Sequence, residues 1–484
     1  MKKMQIFSLL LLGTVLMMLS NGKYLMALAA WVFPFVLMVA VKDMRERWAW
    51  LLLTLVMALG NQLSFHNMLP QLGIPLFGFI PALAGGLYAL PFVLQKLCYR
   101  RSQSFLVTLI FPSSYALLDY MNVYLNRFGT FGVLGYSQAH FLPMAQVASL
   151  IGVTGLTFFI TWVAAIVYWL TLDRQKVHKK RVALATVMIL LLTVVWGSFR
   201  VNESVDNETV LVAGIHTLDR NNTETLEIFN LRKKDLNDFT EKTEKQIEIL
   251  IERTTDEAEA GAKIIHHSEG TAVMDVSQRS SYLKRLQRVA EQHEVYIITV
   301  PYVFTEPSKK NENVLYVIDP NGGIALEHYK YGGNFIEQTV TKGKDIDSVE
   351  TPYGRLTGII CWDKDFPSVV NQVGEKHIDH LFIPSADWKE ISPYHTIVGN
   401  FRGIENGANT VTQTVNGMSM MTDYTGQTLA KMNHFTTDHW VMRGHMPVRG
   451  TDTFYTFVGK YFGGLIVVVF IVLLLFIFKI RRNR

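Results

Sequence analysis

The sequence predicts a chain in two parts: a membrane bundle of eight apolar α-helices, and an α/β layered domain whose mixed sheet doubles into a sandwich. Three observations carry this prediction. Hydrophobic types make up 49% and charged types 18% of 484 residues, but they are unevenly spread. Roughly residues 1–200 and 460–484 are strongly apolar, while the middle has the composition of an ordinary globular domain. Basic residues gather in every second connection between apolar runs. In the middle block, β-branched runs alternate with amphipathic, helix-forming stretches.

Apolar runs of near-spanning length lie at 4–20, 24–41, 48–66, 72–95, 104–123, 143–170, 182–199 and 461–478. A helical span needs about 20 residues to cross about 30 Å of hydrocarbon. The last run, FGGLIVVVFIVLLLFIF, is the clearest. The first, after MKK, also has the outline of a signal peptide, but the next run follows at once and no small-residue cleavage site closes it. The basic clusters are MKK, KDMRER (42–47), KLCYRRS (96–102), DRQKVHKKR (173–181) and KIRRNR at the end. The intervening loops, such as NGK (21–23) and SFHNMLPQL (64–72), carry few charges. The positive-inside rule then puts both termini in the cytoplasm and the block near 205–450 on the outer face. The expected division is 1–204 for seven spans, 205–450 for the outer domain, and 451–484 for the eighth span and a basic tail. The net charge of +5 resides in these anchors and gives no reason to invoke nucleic acid. Cys98 and Cys361 are the only cysteines, and this topology sets them on opposite sides of the membrane. An unpaired outer cysteine is either buried and inert or reactive.

Within the outer block TVLVAGI (209–215) reads as a buried strand. Residues 224–258 form a helix with Phe239, Ile247, Leu250, Ile251 and Thr254 on one face. AKIIHHS (262–268) is a short strand, 277–293 a helix, and VYIITV (295–300) a strand. NVLYVIDPNGG (313–323) and IALEHYK (324–330) make a hairpin. LTGIIC (356–361) and HLFIPS (380–385) are strands, 393–408 a helix, and NTVTQT (409–414) with MSMMTD (418–423) a closing pair.

Catalytic groups in layered α/β folds gather beyond strand C-terminal ends. Glu269, Lys330 and Cys361 each take such a position in this reading. Singly, each has a commoner dull use: a strand-end cysteine packs, a glutamate caps or faces solvent, a lysine lies on the surface. Together they suffice for acyl transfer. A carboxylate takes the thiol proton and returns it to a leaving group, and an ammonium holds the oxyanion. His266 and His267 lack further ligands at metal-site spacing, so loop or packing roles are expected and no metal. No phosphate loop or dinucleotide fingerprint appears, and no cofactor is expected.

The order Glu, Lys, Cys resembles the nitrilase superfamily of carbon–nitrogen hydrolases, and the membrane setting resembles its apolipoprotein N-acyltransferase branch. The likeness runs along nearly the whole chain. It includes GYSQ (135–138), Pro143, Gln146 and IGVTGLTF (151–158), then HYK (328–330), the CWD that stands for CYE, and Phe366-Pro367. Asp387-Trp388, His395, Arg402, Glu405, NGMS (416–419) and TFYTFVGKYFG (453–463) continue it. The resemblance implies a nitrilase-like αββα sandwich between spans seven and eight of a cell-membrane protein. It implies Glu269 as general base, Lys330 as oxyanion partner and Cys361 as nucleophile, with Glu337 and Asp363 in support. Tyr136 and Gln138 are candidates for substrate contact or interfacial anchoring, Trp362 for contact with a lipid tail or the core, and Trp388 and His395 for shaping the substrate pocket. The implied reaction moves an acyl group from a phospholipid, through a Cys361 thioester, to the N-terminal amine of a diacylglyceryl-cysteine lipoprotein. A monomer is expected. The chain departs from the family pattern at HSE (267–269), which replaces WPE, and at YGGNFIE (331–337), which is one residue shorter than usual. Those departures keep two alternatives open: an amidase that uses water in place of the amine, and a non-catalytic binding protein.

Overall fold

The structure is a computed structural model that describes residues 1–69, 78–102, 104–172, 176–203, 208–217, 231–232 and 234–479. The chain divides into two compact units. One comprises Met1–Asn126, Thr130–Asn202 and Phe457–Arg484; the other comprises Arg127–Gly129 and Glu203–Thr456.

The first unit is helical. Its longer helices are Lys3–Ser20, Ala27–Val41, Glu46–Ser64, Ile80–Leu87, Leu90–Arg101, Ile110–Leu125, Ala148–Thr171, Lys176–Asn202 and Phe462–Lys479. Each apolar run is mostly helical where it is described, with turns or irregular backbone at 24–26, 65–66, 88–89 and 146–147; residues 70–77, 173–175 of the basic loop and 480–484 of the tail lie outside the described residues. Among the described residues, five helices are long and apolar enough to cross a membrane: Lys3–Ser20, Ile80–Arg101, Ala148–Thr171, Lys179–Asn202 and Gly459–Ile477. Ala27–Val41 is apolar but shorter. The helices pack closely where glycine removes the side chain. A Cβ on Gly60 would meet Met17 Cγ at 2.6 Å. The unit also buries one carboxylate, Asp119, which accepts hydrogen bonds from the Tyr88 hydroxyl (2.6 Å), the Thr157 hydroxyl (2.7 Å) and the Leu134 N–H (3.3 Å). Three donors offset the cost of taking that group out of water.

Among the described residues the second unit holds twelve strands: β1 Thr209–Ile215, β2 Ile264–Asp275, β3 Tyr296–Phe304, β4 Glu312–Ile318, β5 Ile324–Tyr329, β6 Val349–Thr351, β7 Gly354–Gly358, β8 His380–Ala386, β9 Asn409–Val415, β10 Met418–Thr422, β11 Thr428–Asn433 and β12 Val441–Pro447. They form two six-stranded mixed sheets, ordered β12-β1-β2-β3-β4-β5 and β11-β10-β9-β8-β7-β6. Helices Leu236–Glu259 and Val276–His293 cover the outer face of the first sheet through Ile247, Leu250, Tyr282 and Leu286. Pro367–Glu375 contributes Val369, Val370 and Val373 to the core on the outer face of the second. Between the sheets Val212, Ile264, Ile298, Leu315 and Val317 meet Leu356, Ile360, Phe382, Val411 and Met421. The product is an αββα sandwich, the arrangement that lets two one-sided sheets bury their inner faces on each other and their outer faces under helices.

Sequence signals account for the helix starts. Asp235 accepts from the N–H groups of Asn237 and Asp238, and Asp275 forms a capping box with Gln278. The first of these helices begins at Leu236; residues 231, 232 and 234 before it are also helical, and residues 218–230 and 233 of the stretch expected from 224 lie outside the described residues. Two strand ends also differ from the sequence reading. Strand β2 does not stop at Ser268 but runs on to Asp275, entirely buried, because the GTAVMD continuation is small and apolar enough to pair with β3. Strand β7 stops at Gly358, three residues before the expected end at Cys361. Strands β6, β11 and β12 were not anticipated; β12 closes the first sheet antiparallel to β1.

Candidate active site

Glu269 lies inside β2, where pairing with β3 loses its register on either side of it. Gly270 takes φ +60° immediately after. That interruption lets a carboxylate leave the regular in–out alternation of the strand. Lys330 directly follows β5, and the β4–β5 pairing Val314↔Tyr329 sets Asn313 beside it, with the Lys330 N–H donating to the Asn313 carbonyl at 3.2 Å. Since β4 and β2 flank β3 in one sheet, the three polar side chains meet. Lys330 Nζ donates to Glu269 Oε1 at 2.6 Å and also to Glu337. Asn313 Nδ2 donates to Glu269 Oε1 at 2.7 Å and to Glu337 Oε2 at 3.0 Å. Glu337 ends a short helix, Asn334–Glu337, and is about a third exposed, whereas Glu269 and Lys330 are buried.

Cys361 comes from the opposite sheet. It opens a single 3₁₀ turn, Cys361–Asp365, beyond β7, and has φ +51°. A non-glycine residue in that region is strained, and the surrounding structure must hold it there. The thiol is buried in the core between the sheets and lies within electrostatic reach of Glu269, Lys330, Lys364 and Asp387. Burial, and next the Glu269 carboxylate, push the thiol well above its ordinary value, against the opposing pull of the Lys330 and Lys364 ammoniums. Burial acts to strip Lys330 of its proton, but Glu269, Glu337 and the Cys361 sulfur outweigh it and hold the ammonium well above the usual lysine range. At rest the site is therefore a protonated thiol facing a fixed ammonium. A nucleophile so arranged needs its proton taken at the moment of attack.

Asp363 pins the loop that follows Lys330. Its Oδ1 accepts from the N–H groups of Tyr331 (3.0 Å) and Gly332, and its Oδ2 lies 2.9 Å from the Ile360 N–H and 2.7 Å from His328 Nε2. Gly332 is required there: a Cβ on it would come within 2.6 Å of the Trp362 carbonyl carbon. Trp362 is buried, with ring centroids 5.6 Å from Phe128, 6.0 Å from Trp388 and 5.0 Å from His395. Phe335, from the loop 331–337, packs edge-on to Phe128 at 5.3 Å. His395 sits in the first turn of the helix Tyr394–Asn406, its Nδ1 2.7 Å from Asp387 Oδ1.

The structure thus brings Glu269, Lys330, Glu337, Asp363 and Cys361 together, with Trp362, Trp388 and His395 in one cluster beside them. Tyr136 and Gln138 are fully buried within the helical unit, the former bonded to Thr130 (2.8 Å) and the latter accepting from the Trp31 indole (3.0 Å). The sequence reading passed over Asn313, His328 and Lys364. The hairpin register alone was enough to set Asn313 opposite Lys330.

Two family matches divide the chain between them. The carbon–nitrogen hydrolase family matches residues 254–444, and the apolipoprotein N-acyltransferase N-terminal domain matches residues 13–166. An apolipoprotein N-acyltransferase of Borreliella burgdorferi is 20% identical over 378 residues, which is 70% of each chain. In both parts the chain resembles the apolipoprotein N-acyltransferase branch of the carbon–nitrogen hydrolases. A probable nitrilase of Schizosaccharomyces pombe is 28% identical over 144 residues, 28% of this chain and 51% of its own. A deaminated glutathione amidase of Dictyostelium discoideum is 25% identical over 134 residues, 25% of this chain and 46% of its own. The chain spans about half the length of these last two relatives. Among solved structures, an amidase from Nesterenkonia sp. aligns with TM-score 0.42 and 13% identity, covering 52% of this chain and 95% of that one.

Proposed function

We propose that this protein is a membrane acyltransferase that moves a fatty acyl group from a phospholipid to the N-terminal amine of a diacylglyceryl-cysteine lipoprotein. The observation that carries the reading is the pairing, in one chain, of a buried Glu269–Lys330–Cys361 set with an N-acyltransferase-type membrane domain. In the first half-reaction Glu269 takes the Cys361 proton as the sulfur attacks the ester carbonyl carbon. The Lys330 ammonium holds the oxyanion. As the tetrahedral centre collapses, the ester C–O bond breaks and Glu269 returns the proton to the departing lysophospholipid oxygen. In the second half-reaction the free amine attacks the thioester carbonyl, its proton passes to Glu269, and the C–S bond breaks to leave an amide and the resting thiol. Glu337 and Asn313 fix the Lys330–Glu269 pair, Asp363 fixes the loop 331–337, and Trp362 and Trp388 supply apolar cover that keeps water from the thioester. Tyr136 and Gln138 act as packing of the membrane domain.

The reading includes eight spans, cytoplasmic termini, a catalytic domain on the outer face of the cell membrane (residues 205–450), a monomer, and no cofactor. Hydrolysis by the same residues is the competing reading, favoured by the likeness of residues 254–444 to amidases and nitrilases. Supplying purified protein with phospholipid and a diacylated lipopeptide separates the two. Mass spectrometry showing an N-acylated peptide supports transfer. Free fatty acid alone, or no product with wild-type protein, overturns it.

A further inference from the structure

The nucleophile has a second group of neighbours for which acyl transfer gives no task. Asp387 follows β8, and its Oδ1 lies 2.7 Å from His395 Nδ1. The other ring nitrogen of His395 lies 3.4 Å from Asp365 Oδ2. Asp365 and His395 are fully buried, and Asp387 nearly so. One ligating atom from each of Cys361, Asp387 and His395 lies within 4.8 Å of the other two. We propose that Cys361, Asp387 and His395 form an inhibitory site for a thiophilic divalent cation of the zinc class, which blocks the enzyme by coordinating its nucleophile. The inhibition rests on Cys361 being that nucleophile; the binding does not.

The donor set is the argument. Thiolate, imidazole and carboxylate are the three ligand types that zinc and cadmium take in proteins, and three protein ligands leave one position open for water. With Zn–S near 2.3 Å and Zn–N or Zn–O near 2.0–2.2 Å, ligand atoms in a tetrahedral site stand about 3.3–3.8 Å apart. Atoms within 4.8 Å of one another close by at most about 1.5 Å to reach that spacing, while Asp387 Oδ1 and His395 Nδ1, now 2.7 Å apart, open by about 0.6 Å; side-chain rotation supplies both. The rings around them limit other rearrangements, since the His395 imidazole packs 5.0 Å from the Trp362 indole. Charge balances as well. One S–H bond breaks, one S–metal bond forms, the proton leaves to solvent, and thiolate plus Asp387 carboxylate neutralise the dication. The His395 proton that faces Asp387 moves to the other ring nitrogen, toward Asp365, so neutral imidazole offers its lone pair to the metal. Asp365 therefore serves as the outer partner that orients the ring.

The test uses the full-length protein in detergent. Cadmium is titrated while the cadmium–thiolate absorption in the ultraviolet is followed, and zinc is titrated against a chromophoric chelator. Alkylation of each cysteine is mapped by mass spectrometry. The expected result is one equivalent per chain and at least tenfold slower alkylation of Cys361, with the reactivity restored by chelator. The signal is retained in Cys98→Ala and lost in Cys361→Ser. Asp387→Asn and His395→Gln, two independent variants, each weaken cadmium binding tenfold or more. The proposal is overturned if the absorption tracks Cys98. It is equally overturned if both variants, folded by circular dichroism, bind as wild type, because the cation then sees a lone thiol. Should acyl transfer fail while one equivalent still binds at Cys361, the functional reading falls and the cation site stands.

Discussion

Replacing Asp363 with asparagine tests whether one carboxylate organises the loop after Lys330. The swap preserves shape, so its cost comes from hydrogen bonding alone. The native carboxylate serves four donors: the N–H groups of Tyr331 and Gly332 on one oxygen, and the Ile360 N–H and His328 Nε2 on the other. The amide of Asn can accept on one side only. Its cheaper orientation turns the oxygen toward Tyr331 and Gly332 and the NH₂ toward Ile360 and His328, since His328 can change tautomer and accept. One buried N–H, that of Ile360, then loses its partner, which costs about 1–3 kcal/mol. The two retained bonds pass from a charged to a neutral acceptor and weaken by about 1 kcal/mol each. The sum, about 3–5 kcal/mol, favours opening of the segment 330–337 over the closed loop, a factor of about 10²–10⁴. Amide hydrogen exchange followed by mass spectrometry reads it directly. Peptides covering Tyr331, Gly332 and Ile360 exchange about 10²–10⁴ times faster in Asp363→Asn, while the helix Leu236–Glu259 is unchanged. Acyl transfer falls with it, because Lys330 is the residue from which the loop departs. Exchange at Tyr331 and Gly332 within threefold of wild type would refute the reasoning.

Four other outcomes follow from the same geometry. Glu269→Gln lowers acyl transfer by about 10²–10⁴, the usual worth of a positioned base, with the peptide product assayed by mass spectrometry; Lys330→Met lowers it by at least about 10², the worth of one oxyanion donor, and wild-type rates in either would break the proposed mechanism. His267, held by Thr254 (2.9 Å) and Thr299 (3.0 Å), is driven by burial down to about 3. A histidine depressed in the folded state contributes nothing to pH dependence above the unfolded value near 6.5, and stability is lost as pH falls from there toward 3, by about 2 kcal/mol at pH 5. Chemical unfolding of the sandwich at pH 7.5 and pH 5 measures that slope, which His267→Asn flattens. Arg402 and Glu405 form a buried pair at 2.7 Å, so Arg402→Met leaves a carboxylate without its cation and costs about 3–5 kcal/mol, read as loss of folded protein in expression and thermal assays.

The sandwich was legible in the sequence where the hydrophobic pattern was strong. TVLVAGI, HLFIPS and the hairpin 313–330 fall on strands because apolar, β-branched residues dominate them. Strand β12 was not legible: VMRGHMP places Arg443, Gly444 and His445 in its middle, and only pairing with β1 makes it a strand. Of the candidate site, Glu269, Lys330 and Cys361 were singled out from the sequence as ionisable residues next to expected strand ends. Asn313, His328 and Lys364 escaped because their burial and partners arise from contacts between segments distant in the chain, such as His328 with Asp363. The extension of β2 past Glu269 escaped for a related reason: a local break in pairing resembles a strand end until the neighbouring strand is seen to continue.

Among Glu269, Lys330, Glu337, Asp363 and Cys361, the cysteine alone adopts a left-handed backbone. That conformation costs an ordinary residue about 1–2 kcal/mol and glycine almost nothing. Stability by itself therefore selects against sulfur at position 361. A descendant copy freed from its duty gains by drifting to glycine there, with its sheets and its ammonium–carboxylate cluster left intact. Glycine in that slot would be the earliest scar of a scaffold that has retired from chemistry, and a retained cysteine marks one still at work.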